Sequence, residues 1–236
     1  MNYGPIIYTR GDIAIKAALA TESILREALK TRGSATLMVS GGSSPKPLYE
    51  SLSHADLDWS RVTVSLVDER WVDPGHPGSN EDFIRGTLLQ NKARNASFIG
   101  LKTKHKTVEA GLRHAASRLE DIEDPFDICI MGMGSDAHSA SWFSNSKGLE
   151  AALSPYNKKK LCAINASSAP VAGNFPDRIS LTLSAVLQSH AVFLFIPGAA
   201  KRAVWDDVSN RSIYDAPVKA LLTAGSKLHV FASPQL

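Results

Sequence analysis

The chain has 236 residues, 44% hydrophobic and 21% charged, with a formal net charge of +3. This is ordinary globular composition, long enough for one or two domains, and no run reaches the ~18 apolar residues of a membrane span. Lys102, Lys104 and Lys106, and the run Lys158 to Lys160, carry no interleaved aromatics, so no nucleic-acid partner is expected.

The start, MNYGPIIYTRGD, has no basic segment followed by an apolar core, so no secretory leader is read and a cytoplasmic location is expected. Residues 6–9 form a short strand. Asp12 caps a helix to about Lys30, with Ile13, Ala17, Ala20, Ile24, Leu25 and Ala28 at helical spacing. Residues 36–39 are a strand. The turn Ser40-Gly-Gly-Ser-Ser-Pro-Lys46 follows, and a helix runs through Leu52. Ser44 is read as the N-cap and Pro45 as the first helical residue. Such a turn is either a plain capped turn or an anion cradle. Gly42 lets a ligand approach, Ser43 and Ser44 add hydroxyls, and the helix start adds N–H groups. The GxxxxGK[ST] spacing of a P-loop is absent.

Residues 61–67 alternate as a strand ending in Asp68-Glu69-Arg70-Trp71, a charged cluster where a sheet binds ligands, or a salt-bridged strand end. Residues 72–80 are a Pro/Gly loop placed to fold over such a site. Helices follow at 80–89 and 108–119.

The central stretch is FDICIMGMGSDAHSASWF, residues 126–143. Residues 127–131 are a buried strand of a parallel sheet. Gly132 and Gly134 end it, and Asp136 and His138 follow. Ser139, Ala140 and Ser141 are read as the first turn of a helix. A lone His is often structural, but a carboxylate beside an imidazole at a strand's carboxyl end suits general acid–base work. Further strands are expected at 160–164, 178–183, 191–196 and 228–232. Helices are expected before His190, from Lys201 to Val208, and at 217–222. Cys129 and Cys162, in apolar runs, are read as buried thiols. The alternation without repeat or linker gives one α/β domain, residues 1–236, with a mainly parallel sheet flanked by helices.

Five stretches in order then carry a resemblance. They are SGGSSPKPLYE (40–50), VDERWV with HPGSNE (67–72 and 76–81), GMGSDAHSAS (132–141), RISLTL (178–183) and GAAK (198–201). Together the chain resembles the 6-phosphogluconolactonases, within a group that includes the glucosamine-6-phosphate deaminases. The resemblance implies a Rossmann-like fold and hydrolysis of 6-phospho-D-glucono-1,5-lactone. No cofactor or metal is required. A small phosphorylated sugar lactone is the partner and the chain acts as a monomer. His138 matches the family's catalytic His, with Asp136 beside it. Phosphate contacts fall on Gly42, Ser43, Arg178 and Lys201, with Ser44 in the same turn. Arg70 serves the bound substrate, and Asp68 stands at the same edge. No GxSxG elbow supports a serine nucleophile. Backbone N–H groups at Gly134 and Ser135 are expected to face the oxyanion.

This chain departs from the family at several positions. Ala137 stands where Gly is usual and disfavours a positive φ. Ser139 replaces Thr, Trp142 replaces the commoner Leu, and Ser144-Asn145 replaces Pro-Gly. GNFPD precedes the 178–183 stretch where Pro-rich sequence is usual. A deaminase or isomerase would carry a Glu soon after the His, whereas residues 139–148 contain no carboxylate. A non-catalytic sugar-phosphate-binding protein would have no need of the Asp136–His138 pair.

Overall fold

The structure is a computed structural model and describes residues 4–122 and 124–234. The strands are β1 Ile6–Tyr8, β2 Ala35–Val39, β3 Val62–Leu66, β4 Asp68–Arg70, β5 Ser97–Ile99, β6 Ile128–Gly132, β7 Leu161–Asn165, β8 Asp177–Leu181, β9 Ala191–Ile196 and β10 Leu228–Ala232. The α-helices are α1 Ile13–Arg32, α2 Lys46–Leu52, α3 Asn80–Thr87, α4 Val108–Leu119, α5 Leu149–Leu153, α6 Leu183–Gln188 and α7 Ala199–Asp207. None is long and apolar enough to cross a membrane among the described residues.

Seven strands form one parallel sheet in the order β1-β10-β9-β6-β2-β3-β5. β2 and β9 are buried along their whole length. Burial on both faces requires continuous apolar runs, and ATLMV and AVFLFI supply them. Each fully buried Leu, Ile or Phe contributes roughly 1.5–3 kcal/mol relative to an exposed one. The centre of the sheet is β9, β6, β2 and β3, in that order. α1 begins as read, with Asp12 Oδ1 accepting from the N–H groups of Ala14 (2.9 Å) and Ile15 (3.2 Å). It ends at Gly33, whose φ of 82° is the left-handed cap conformation.

Three local expectations fail, each for a visible reason. β4, β8 and β7 form a separate three-stranded antiparallel sheet. Val67 is the crossing point. Its N–H donates to the Val39 carbonyl of β2 (2.9 Å), and its own carbonyl accepts from Leu181 N–H of β8 (2.7 Å). Second, Ser44 does not cap α2. Pro45 takes the cap position in αR conformation with no side-chain cap bond. Third, no helix starts at Ser139. Ser139 bridges to Trp142, and Ala140 has a φ of 47°, which a right-handed helix cannot contain. The next helix is α5.

Candidate active site

The strand order reverses at β2 and β6. From β2 the chain steps outward through β3 to β5, then returns to β6 on the other side of β2. The two turns leaving β2 and β6 therefore diverge and leave a crevice, the position where open α/β sheets bind ligands. A cavity lies there. Its lining includes Gly42, Ser43 and Ser44 after β2, Asp68 and Arg70 of β4, His138 after β6, Arg178 of β8 and Lys201 of α7. Of the residues read from the sequence as the site, Asp136 and Ser135 do not line it.

Asp136 stands behind His138. Its Oδ1 lies 2.5 Å from His138 Nδ1 and also accepts from the His138 N–H at 3.4 Å. Burial alone would raise the Asp136 carboxyl, but the hydrogen bond and charge of His138 outweigh it and hold it below the usual range. A carboxylate at Nδ1 assigns the proton to that nitrogen and leaves Nε2 with the lone pair. The pair fits because residue 134 has no side chain. A Cβ on Gly134 would overlap both the His138 ring and Asp136 Oδ1. The Gly134 N–H does not serve an oxyanion, because it donates to the His138 carbonyl at 2.9 Å. Ala137 has a φ of 67°, the conformation its methyl group disfavours.

The acidic strand end divides its roles. Asp68 is buried, and its Oδ2 accepts from Ser141 Oγ at 2.6 Å. Glu69 turns away to hold the start of α3. Its Oε1 accepts from the N–H groups of Arg70 (2.7 Å) and Asn80 (2.8 Å), and its Oε2 from Glu81 N–H (2.8 Å) and Ser79 Oγ (3.2 Å). Burial pushes this carboxyl up to about 7, with the N–H bonds pulling the other way. Arg70 Nη1 donates to the Gly78 carbonyl (2.6 Å), which fastens the 72–79 loop beside the cavity.

The cations sit opposite different partners. Lys201 Nζ donates to Ser44 Oγ at 2.8 Å, so that hydroxyl serves the lysine rather than the helix. Burial lowers the Lys201 ammonium's pKa. Arg178 is buried, and its Nε and Nη2 donate to the carbonyls of Phe175 (2.5 Å) and Ala172 (3.0 Å). Burial brings its pKa down to about 10, against the charges of Asp68 and Glu69, which raise it. Among the described residues, Ser40 Oγ and Arg70 Nε are the buried side-chain polar atoms without a hydrogen-bond partner, and both residues line this cavity. Unpaired buried polar groups collect where a ligand is to bind.

Sequence reasoning passed over Asn80 and Ser40. Asn80 lines the cavity and donates to the Asp68 carbonyl at 2.9 Å. Its place beside HPGS just before a helix was the available signal. His105 and His114 have ring centroids 5.8 Å apart, and no metal-holding group of three or more His, Cys, Asp or Glu occurs among the described residues.

Known proteins share the sequence and fold of this chain. The family model described as "Glucosamine-6-phosphate isomerases/6-phosphogluconolactonase" matches residues 9–230. A 6-phosphogluconolactonase of Rhizobium meliloti (strain 1021) is 35% identical over 94% of this chain and 95% of its own length. One from Pseudomonas aeruginosa is 38% identical over 87% of this chain and 84% of its own. The crystal structure of a 6-phosphogluconolactonase from Shewanella baltica OS155 superposes with a TM-score of 0.89 at 37% identity, covering 100% of both chains. A monomeric glucosamine-6-phosphate deaminase, at 18% identity and a TM-score of 0.76, shares the fold. The matched length, the shared fold and the crevice at β2 and β6 lead to one conclusion: the chain belongs to the glucosamine-6-phosphate isomerase/6-phosphogluconolactonase family.

Proposed function

We propose that this protein hydrolyses 6-phospho-D-glucono-1,5-lactone to 6-phospho-D-gluconate, a step of the oxidative pentose phosphate pathway, with His138 as general base. The observation that carries this reading is the 2.5 Å His138–Asp136 pair beside a cavity that Arg70, Arg178 and Lys201 also line. A δ-lactone is an activated ester, so water, a base and a fixed substrate suffice. His138 Nε2 takes a proton from water as its oxygen adds to the carbonyl carbon. The tetrahedral intermediate collapses with cleavage of the bond to the ring oxygen. The imidazolium returns the proton to that oxygen, and the product carboxylic acid ionises. Asp136 holds the tautomer and stabilises the imidazolium.

Lys201, Arg178 and the turn at Gly42, Ser43 and Ser44 take the phosphate at the far end of the sugar. Anchoring there fixes the reacting carbonyl near His138. Arg70 and Asp68 contact the sugar between the two ends. The enzyme works as a cytoplasmic monomer of one domain. The deaminase reading has less support, since residues 139–148 offer no carboxylate for its chemistry.

Proton release from the lactone by the purified protein, with spontaneous hydrolysis subtracted, tests the reading. Turnover well above that floor is expected. Ammonia release from glucosamine 6-phosphate without lactone hydrolysis would overturn it, as would phosphogluconate binding without turnover of either substrate.

A further inference from the structure

Phe143 ends the central stretch and is buried, 2% exposed. Its ring centroid lies 4.3 Å from that of His138, with the planes 35° apart. The Arg178 guanidinium carbon stands over the same ring, 5.4 Å from its centroid. One apolar side chain thus touches both the base and a cation of the phosphate side. We propose that Phe143 is a positioning residue that holds His138 and Arg178 in one frame. The proposal rests on the function given above and extends it to how the site keeps its geometry.

The loop after β6 explains why such a residue is needed. Between Met133 and Gly148 it has no helix, and Ala137, Ala140 and Asn145 have positive φ. The base therefore has no helical ladder beneath it. Asp136 fixes one edge of the imidazole through Nδ1 but leaves the ring free to swing about that contact. A packed aromatic face removes this freedom. For Arg178 the division is similar. The carbonyls of Phe175 and Ala172 fix the edge of the guanidinium, and the Phe143 ring covers its face. A desolvated cation over an aromatic face is attracted to it. When His138 becomes an imidazolium it is a second cation against that ring. Phe143 is itself anchored. Its carbonyl accepts from Ser146 N–H (3.1 Å) and Ser146 Oγ (2.8 Å), and its N–H donates to the Ser141 carbonyl (3.1 Å).

The test is a split between kcat and KM. Phe143→Leu keeps the site apolar and removes the aromatic face. It is expected to lower kcat roughly tenfold through His138 and to raise KM roughly tenfold through Arg178, as a small misplacement of reacting groups would. Phe143→Tyr keeps the face and is expected to retain both within about threefold. In an Arg178→Ala background, Phe143→Leu should still lower kcat but raise KM no further, because contacting residues are not additive. NMR reads the base without substrate: the His138 Cε1–H line should be narrow in the wild type and exchange-broadened in Phe143→Leu. Should Phe143→Leu not fold, Phe143→Met, with its adaptable side chain, is read in the same way. A folded variant with wild-type kcat, KM and line width overturns the proposal. Absence of lactone turnover by the wild type would sink the function instead, and the line width would still decide the role of Phe143.

Discussion

Lys201 Nζ and Ser44 Oγ meet at 2.8 Å although 157 residues separate them in the chain. The contact closes the cavity between the start of α7 and the turn after β2. In the proposed function this half-buried ammonium and the turn at Gly42, Ser43 and Ser44 hold the phosphate. Lys201→Ala is therefore expected to raise KM for the phosphorylated lactone tenfold to several hundredfold, on the order of losing a charge-assisted contact. Steady-state kinetics on the unphosphorylated lactone should show a much smaller change. Equal losses on both substrates would mean that Lys201 supports the fold instead.

His138→Ala is expected to lower kcat by about 100- to 10,000-fold, the usual contribution of a general base, with phosphogluconate binding largely kept. Asp136→Asn should lose less, because it leaves the base in place and disturbs its tautomer. Initial rates corrected for spontaneous hydrolysis decide this. Near-full activity in His138→Ala would move the base elsewhere, with Asp68 the next group to test.

Much of this was legible in the sequence. The central strands β2, β6 and β9 show as largely apolar runs because two-sided burial leaves few polar positions in them, and Asp136 and His138 follow the carboxyl end of β6. The antiparallel sheet was not legible. Asp68-Glu69-Arg70 is as polar as a loop, and its strand character comes from pairing with Arg178, Ile179 and Ser180, more than a hundred residues onward. The helix expected at Ser139 failed because small polar residues fit a helix start and a tight turn equally well. Backbone angles at Ala137 and Ala140 decide between them, and composition does not record angles. The role of Phe143 was hidden for a different reason: an apolar residue after a polar cluster reads as core, and its two polar neighbours appear only in three dimensions.

Glu69 gives the fold a pH dependence. Its carboxyl is raised from 4.5 to about 7 in the folded chain by burial. The native state thus holds a proton that the unfolded state releases. The contribution is full below pH ~4.5 and is lost as pH rises through about 7, to a total of roughly 3 kcal/mol. Glu69→Gln cannot titrate. Its amide also meets the Glu81 N–H or the Arg70 and Asn80 N–H groups with a donor, so it should be less stable at low pH. Urea unfolding from pH 5 to 8 is expected to show wild-type stability falling relative to the variant. Parallel curves would show that Glu69 keeps its charge throughout.

Ala137→Gly tests the family departure. Glycine relieves a left-handed conformation that costs Ala about 1–2 kcal/mol. It also loses a fully buried methyl group, about 0.8 kcal/mol, and adds about 0.4–1 kcal/mol of unfolded-state entropy. The terms nearly cancel. Stability should stay within about 1 kcal/mol and kcat should hardly move. A loss beyond that in chemical denaturation would mean the methyl packs better than its size implies.

At Gly134 the requirement is for an empty volume. The imidazole and the carboxylate occupy the space where a side chain would begin. A single added carbon there has to displace both of them. In a saturation scan read out by growth on this activity, position 134 would tolerate replacement as poorly as position 138, even by Ala. Selection would then guard a cavity-lining residue that has no functional group, and a map of sensitive positions would place it among the reacting ones.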